Sequence, residues 1–353
     1  IERILPDLKK EGVDYIYLMG ICQLDKPENI KGQEVGSPDA SSFSILKLGI
    51  SQELGQEAGL VSLIKKAVRS GIQVYAGDIM PHVNQNCKDL PEWAFVKARG
   101  YNREIIRRTA TDGSRSHEGG APIEWRDSVM LNFRDNRVLK TWINFAKYLA
   151  DLGVKGMRID VAHNYGAMLP VERSEEIQSK EKLFGQITSW SRNKLGGFKI
   201  VNDLADQANP FLLNMVSSLS AQYPDFCFLG ENYPTITDEG GVNKYTQIIK
   251  SGVIPFDSGT HDDLENVIIE EWSVGKLVNH FRWLFGALPK GAQWVSALET
   301  HDYFRLMDRW KNYGPEKMKA AIGIWLATTC GPLMLYNRQE IGEVHRIRID
   351  NYT

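Results

Sequence analysis

LKTWINFAKYLADLG (139–153) running into VKGMRIDVA (154–162) is the stretch that decides the fold. In the first segment apolar side chains recur at the three-to-four-residue period of an amphipathic helix. The second is a short, mostly apolar run, as a strand covered on both faces by helices requires. The same order recurs on either side. ILPDLKKEG (4–12), with Gly12 as its C-terminal cap, precedes VDYIYLMGI (13–21). GLVSLIKKAVRSG precedes QVYAGDIM (73–80), and PFLLNMVSSLSAQYP precedes DFCFLGENY (225–233). NKYTQIIKSG precedes VIPFDSG (253–259), LVNHFRWLFGALPKG precedes AQWVSALETHD (292–302), and PEKMKAAIGIWLATTCG precedes PLMLYNRQEIG (332–342). These seven helix-then-strand units predict an α/β fold with a parallel sheet, because parallel neighbours need crossover connections. The architecture expected for residues 1–353 is a (β/α)8 TIM barrel with seven of its strands visible. The opening helix has no strand before it, so the barrel reading places the first strand upstream of Ile1. An incomplete barrel and an open doubly wound sheet are the alternatives; no Gly-rich phosphate loop follows any strand, which argues against the latter.

Composition narrows the function. The chain has 353 residues, 42% hydrophobic and 24% charged, enough apolar material for a large core. Its net charge of −2 and lack of a long basic run leave no electrostatic footprint for nucleic acid. No apolar run approaches ~18 residues, so no membrane-spanning helix is expected. The four cysteines, Cys22, Cys87, Cys227 and Cys330, show no metal-ligand spacing and read as small buried hydrophobes. The first residues carry no initiator Met and no leader pattern, so a processed protein or a piece of a larger one is expected.

Two long connections interrupt the rhythm. Residues 81–136 contain GSRSHEGGAP, and residues 164–206 contain SWSRNKLGG. Both follow the C-terminal end of a strand, where insertions usually build a barrel's substrate cleft. Trp93, Trp125 and Trp190 lie in them, available either for stacking on sugars or for packing the insertions. Trp142, Trp283 and Trp325 sit on helices at core-facing positions.

Polar residues collect at the ends of otherwise apolar strands: Asp78, Arg158 with Asp160, Glu231, and His301 with Asp302. Carboxylates at the mouth of a buried strand are costly unless paired or solvated. Four of them converging on one rim suit glycoside cleavage, in which one carboxylate attacks the anomeric carbon and another protonates the leaving oxygen. Arg158 and Asp160 are two positions apart and so share a strand face; the guanidinium is expected to keep Asp160 ionised. Taken singly, each residue also reads as a structural ion pair or a helix cap.

As an ordered set, these segments resemble the α-amylase superfamily, glycoside hydrolase family 13. Its GxRxD motif is matched by Gly156-Met157-Arg158-Ile159-Asp160, its GE by Gly230-Glu231, and its HD by His301-Asp302 followed by Arg305. VDYIYLMGI, Gly36-Ser37-Pro38, Leu131-Asn132 and GPLMLYNRQEIG resemble further family segments. The resemblance implies Asp160 as nucleophile, Glu231 as general acid/base and Asp302 as the third carboxylate, gripping the sugar's hydroxyls. It implies substrate contacts from Arg158, His301, Asp78, His82, Phe43 and Arg305. The chain departs from the family where DIMPHV places His82 and Val83 at the usual Asn-His, where His163-Asn164 replace Lys-His, and where SSFS stands for the stacking Asp-Tyr, leaving Phe43 for that role. The first of these removes an Asn that often ligates calcium, so no metal or other cofactor is assigned.

What the resemblance implies is a retaining enzyme acting on α-glucosidic bonds of α-glucans or oligosaccharides, by hydrolysis or by transfer to an acceptor sugar. It also implies a β-sandwich beyond Thr353, hence further domains of a parent chain. Two other readings compete with it. One is a non-catalytic carbohydrate-binding or scaffold protein on the same barrel, which would be expected to have lost a catalytic carboxylate. The other is a metal-dependent hydrolase using His82, His163 or His301, whose histidines form no ligand cluster in the sequence.

Overall fold

The computed structural model describes residues 1–24, 44–95, 105–108, 123–133, 135–164, 208–232, 239–268, 272–303 and 305–345. The first half of the chain comprises α1 (Leu5–Lys10), β1 (Tyr15–Leu18), β2 (Cys22–Leu24), β3 (Ile45–Ile50), α2 (Gln56–Arg69), β4 (Gln73–Ile79), β5 (His82–Asn84), β6 (Ile105–Arg108), β7 (Ile123–Met130), α3 (Asn136–Asp151) and β8 (Gly156–Ile159). There follow α4 (Pro210–Ser220), β9 (Cys227–Gly230), α5 (Glu239–Lys250), β10 (Ile254–Asp257), α6 (Ser258–Ile268), α7 (Val274–Gly286), β11 (Val295–Ala297), α8 (Leu306–Trp310), α9 (Pro315–Thr328) and β12 (Leu333–Met334).

The seven strands expected from the sequence form one sheet in the order β1-β4-β8-β9-β10-β11-β12, every neighbouring pair parallel. Sequential parallel strands joined through helices are the (β/α)8 pattern, here a curled, partial barrel. Among the described residues no pairing joins β12 to β1, and both edges keep exposed apolar side chains, Tyr15 and Leu333. The open doubly wound alternative fails on strand order, because the chain never reverses direction across the sheet.

Helix α3 illustrates how the helices cover the strands. Asp135 caps it by accepting from the Arg137 N–H at 2.9 Å. Val138, Trp142, Phe145, Ala146 and Leu149 then fall on one stripe and are buried in the main core with Val74, Met157 and Phe228. Trp142 and Trp325 are buried as their helical positions predict, and Trp283 is half-buried against the Leu284–Trp294 cluster.

Beside the barrel, β5, β7 and β6 form a small antiparallel sheet within residues 81–136, and β2 pairs with β3. Trp93 packs there against the core with the Arg137 guanidinium 3.9 Å above its ring. The side chain of Trp125, the segment around Trp190 and nearly all of 164–206 lie outside the described residues, as do Gly36, Ser37, Pro38 and Phe43. One cysteine departs from expectation. Cys22 and Cys87 are buried and Cys227 half-buried, but Cys330 is exposed, because it lies past the end of α9 in the turn leading to the edge strand β12.

Candidate active site

The site is assembled by strand ends. On β4, Tyr75 pairs with Gly156 of β8, but Asp78 pairs with Arg158, so β4 carries one residue more than its partner over that interval. This bulge is made possible by Gly77, whose φ of +85° would strain any other residue. The extra residue brings Asp78 level with Arg158. On β9, Gly230 allows a different close approach: a Cβ there would stand 2.8 Å from Val253 and 3.0 Å from Ala162. Glu231 follows directly, its N–H donating to the Ile159 carbonyl at 2.9 Å.

Arg158 is the hub. Nη1 donates to Asp78 Oδ1 at 3.2 Å, and Nη2 lies 3.0 Å from Asp160 Oδ1 and also bonds Glu231 Oε1. The second Glu231 oxygen accepts from the Val161 N–H at 2.9 Å, and the Asp160 carboxyl hydrogen-bonds Glu231 as well. Val161 holds φ at +40°, a costly conformation for a β-branched residue, and this turn aims its N–H at Glu231. On the far side, the Tyr17 hydroxyl donates to Asp78. His301 and Asp302 complete the cluster: His301 Nε2 is 3.1 Å from Asp302 Oδ2, and one donor atom each from Glu231, His301 and Asp302 lie within 4.8 Å of one another.

The electrostatics differ from the sequence expectation that Arg158 keeps Asp160 ionised. Burial, and then the Glu231 charge, push the Asp160 carboxyl well above the usual carboxylate range, against the pull of Arg158. Burial pushes Glu231 up too, but Arg158, the Asp160 hydrogen bond and the Val161 N–H together hold it down at about 2. One guanidinium divided among three carboxyls cannot keep all of them ionised. The adjacent pair therefore titrates together, Asp160 holding a shared proton more readily than Glu231.

Asp78, Arg158, Asp160, Glu231, His301 and Asp302 are thus gathered as the strand ends predicted. Arg305 is not. It is buried, with Nη1 on Glu299 at 2.8 Å, Nε on the His345 carbonyl at 3.1 Å and its guanidinium 4.4 Å over the Tyr336 ring. It ties three chain segments together, since a motif position eight residues past the end of β11 says nothing of where the chain turns. His82 is buried in β5, and burial holds its imidazole neutral, near pKa 4. Sequence reasoning missed Tyr17 and the Val161 N–H. A tyrosine inside a barrel strand was a signal for the first; nothing in the sequence marks a backbone donor.

A parallel barrel whose strand C-termini converge on carboxylates, one arginine and one histidine defines a class built for acid–base or nucleophilic work on a polar ligand. Comparison with known proteins is consistent with that class. The family model described as "Alpha amylase, catalytic domain" matches residues 124–352, well over half of the chain, and the chain belongs to that family. Solved structures share its fold. A maltogenic α-amylase from Thermotoga neapolitana superposes with a TM-score of 0.66 at 17% identity, covering 99% of this chain and 65% of that one. An α-amylase from Lactobacillus plantarum gives 0.67 at 18% identity, covering 99% and 69%. A cyclic α-maltosyl-(1→6)-maltose hydrolase from Arthrobacter globiformis gives 0.64 at 14% identity, covering 98% and 66%. The chain therefore spans a little under two thirds of the Thermotoga protein's length. No curated protein sequence matches it. Among the described residues no helix is long and apolar enough to cross a membrane.

Proposed function

We propose that the chain carries the catalytic centre of a retaining glycoside hydrolase or transglycosylase acting on α-glucosidic bonds of α-glucans or oligosaccharides. The observation that supports this most directly is the contact between Asp160 and Glu231 under Arg158, with His301 and Asp302 beside them. Retaining enzymes work with carboxyls about 5–5.5 Å apart. Here both carboxyls hang from one Arg158 nitrogen and hydrogen-bond each other, which sets them side by side at the rim; a sugar entering the site takes up that hydrogen bond.

Taking up that bond also sets the proton. As the glycosidic oxygen comes against Glu231, the shared proton passes from Asp160 to Glu231, leaving Asp160 as the anion. The Asp160 carboxylate then attacks the anomeric carbon while Glu231 gives its proton to the leaving oxygen, and a glycosyl ester forms. In the second step Glu231 takes a proton from water, or from an acceptor sugar hydroxyl, as that oxygen displaces Asp160. His301 and Asp302 hold the sugar's hydroxyls, while Asp78 and Tyr17 keep Arg158 in place. Residues 81–136 and 164–206 are assigned as insertions walling the cleft, and Trp93, held under Arg137, as packing within the first.

Incubation with maltooligosaccharides, followed by NMR of the first-formed product, tests this. The α-anomer is expected. First appearance of the β-anomer would overturn the retaining mechanism, and absence of any product across α-1,4, α-1,6 and disaccharide substrates would favour a non-catalytic binding protein.

A further inference from the structure

We propose that Glu231, His301 and Asp302 form a chelating site for a borderline divalent transition metal, with Zn²⁺ as its probe, and that occupancy blocks the site. The geometry is close to what such an ion needs. Tetrahedral zinc, with bonds of about 2.0–2.1 Å, sets its ligand atoms about 3.3 Å apart. His301 Nε2 and Asp302 Oδ2 already stand 3.1 Å apart, and a Glu231 oxygen lies within 4.8 Å of a ligand atom of each, so the triad closes when the ion draws that oxygen from its present donor. One imidazole nitrogen and two carboxylate oxygens, with the fourth position left to water, suit Zn²⁺ over hard cations such as Ca²⁺ or Mg²⁺, which prefer oxygen donors alone.

The charge of the surroundings favours a cation. Three carboxyls, those of Asp78, Asp160 and Glu231, gather about one guanidinium, and a fourth, Asp302, stands beside Glu231. One shared proton still leaves the cluster anionic. Glu231 and His301 are buried and Asp302 is half-buried, so a bound ion would sit out of bulk water with one open side. It would occupy the Glu231 oxygen needed for proton transfer and the Asp302 oxygens needed for the sugar. Binding and substrate entry are then mutually exclusive.

Calorimetric titration of the full chain with ZnCl₂, without substrate, tests the site independently of any glycosidase activity. One ion per chain is expected, with Ca²⁺ and Mg²⁺ weaker by about tenfold or more. Both His301→Ala and Asp302→Asn should weaken Zn²⁺ by about tenfold or more, their folding checked by thermal melts. His261→Ala removes the other cluster of metal-ligating side chains among the described residues, His261, Asp262 and Glu265, and Cys330→Ser removes an exposed thiol; both should leave binding unchanged. The proposal is overturned by no binding up to about 1 mM Zn²⁺, by binding indifferent to His301→Ala and Asp302→Asn, or by loss only in His261→Ala or Cys330→Ser. If the wild type turns over α-glucan, Zn²⁺ should raise KM with kcat unchanged; a fall in kcat alone would place the ion elsewhere.

Discussion

Replacing Arg305 with Met removes a guanidinium whose charge is matched inside the protein. Its Nη1 lies 2.8 Å from Glu299 Oε2, and both side chains are almost fully buried. Among the described residues Glu299 has one further partner, the Leu306 N–H at 2.7 Å on its other oxygen. The variant therefore leaves a buried carboxylate with a single neutral donor, which costs about 3–5 kcal/mol. Arg305→Lys keeps the charge but loses the Nε bond to His345 and the flat stacking on Tyr336, a smaller cost of about 1–2 kcal/mol. Arg305→Met combined with Glu299→Leu removes both charges and should regain most of the loss, because a packed apolar pair does about as well as a buried ion pair. Urea unfolding followed by tryptophan fluorescence measures all three. The account of Arg305 as a structural tie fails if Arg305→Met loses less than about 1 kcal/mol while KM for a maltooligosaccharide rises severalfold; that pattern would return Arg305 to the substrate.

Three further outcomes follow from the site. Asp160→Asn should abolish turnover yet be more stable than wild type at pH 7 by about 0.5–2 kcal/mol. Because folding raises the Asp160 pKa, the ionised carboxyl works against the fold as pH rises, so the gain should vanish below about pH 4, and thermal melts at both pH values check it. His82 and its lowered pKa act in the opposite direction: its contribution is present above the unfolded value of about 6.5 and is lost as pH falls toward about 4, some ~3 kcal/mol in all. His82→Asn should flatten the pH dependence of the urea midpoint over that window, and an unchanged slope would contradict a buried neutral imidazole. Val161→Gly relieves a left-handed β-branched residue and should be neutral or stabilising by up to about 1 kcal/mol, whereas an ordinary half-buried Val loses stability on the same change; a clear loss of urea midpoint would show that the +40° turn is unstrained.

Most of the fold was legible in the chain because helix and strand periods differ and each repeats. α3 and β8 sit where LKTWINFAKYLADLG and VKGMRIDVA place them, and the other six units follow the same rule. The strand-end residues were legible too, since a carboxylate at the end of an apolar strand has few places to go but the barrel mouth. Arg305 shows the limit. Its distance from the strand is the same whether the chain turns toward the ligand or away, and only the turn decides. Cys330 shows another: apolar neighbours in sequence do not bury a residue that lies beside an edge strand.

By itself, then, the sequence determined a parallel βα sheet, its order of elements, and which carboxylates stand at its rim, because all three depend on local period and polarity. Only the tertiary structure decided how those carboxylates share charge. The bulge at Gly77 brings Asp78 to Arg158, and the strained turn at Val161 points an N–H at Glu231. One guanidinium is then divided among three carboxyls, and Asp160 becomes harder to ionise than Glu231. Protonation depends on distances between residues that lie many positions apart in the chain, and those distances exist only once the strands have packed side by side.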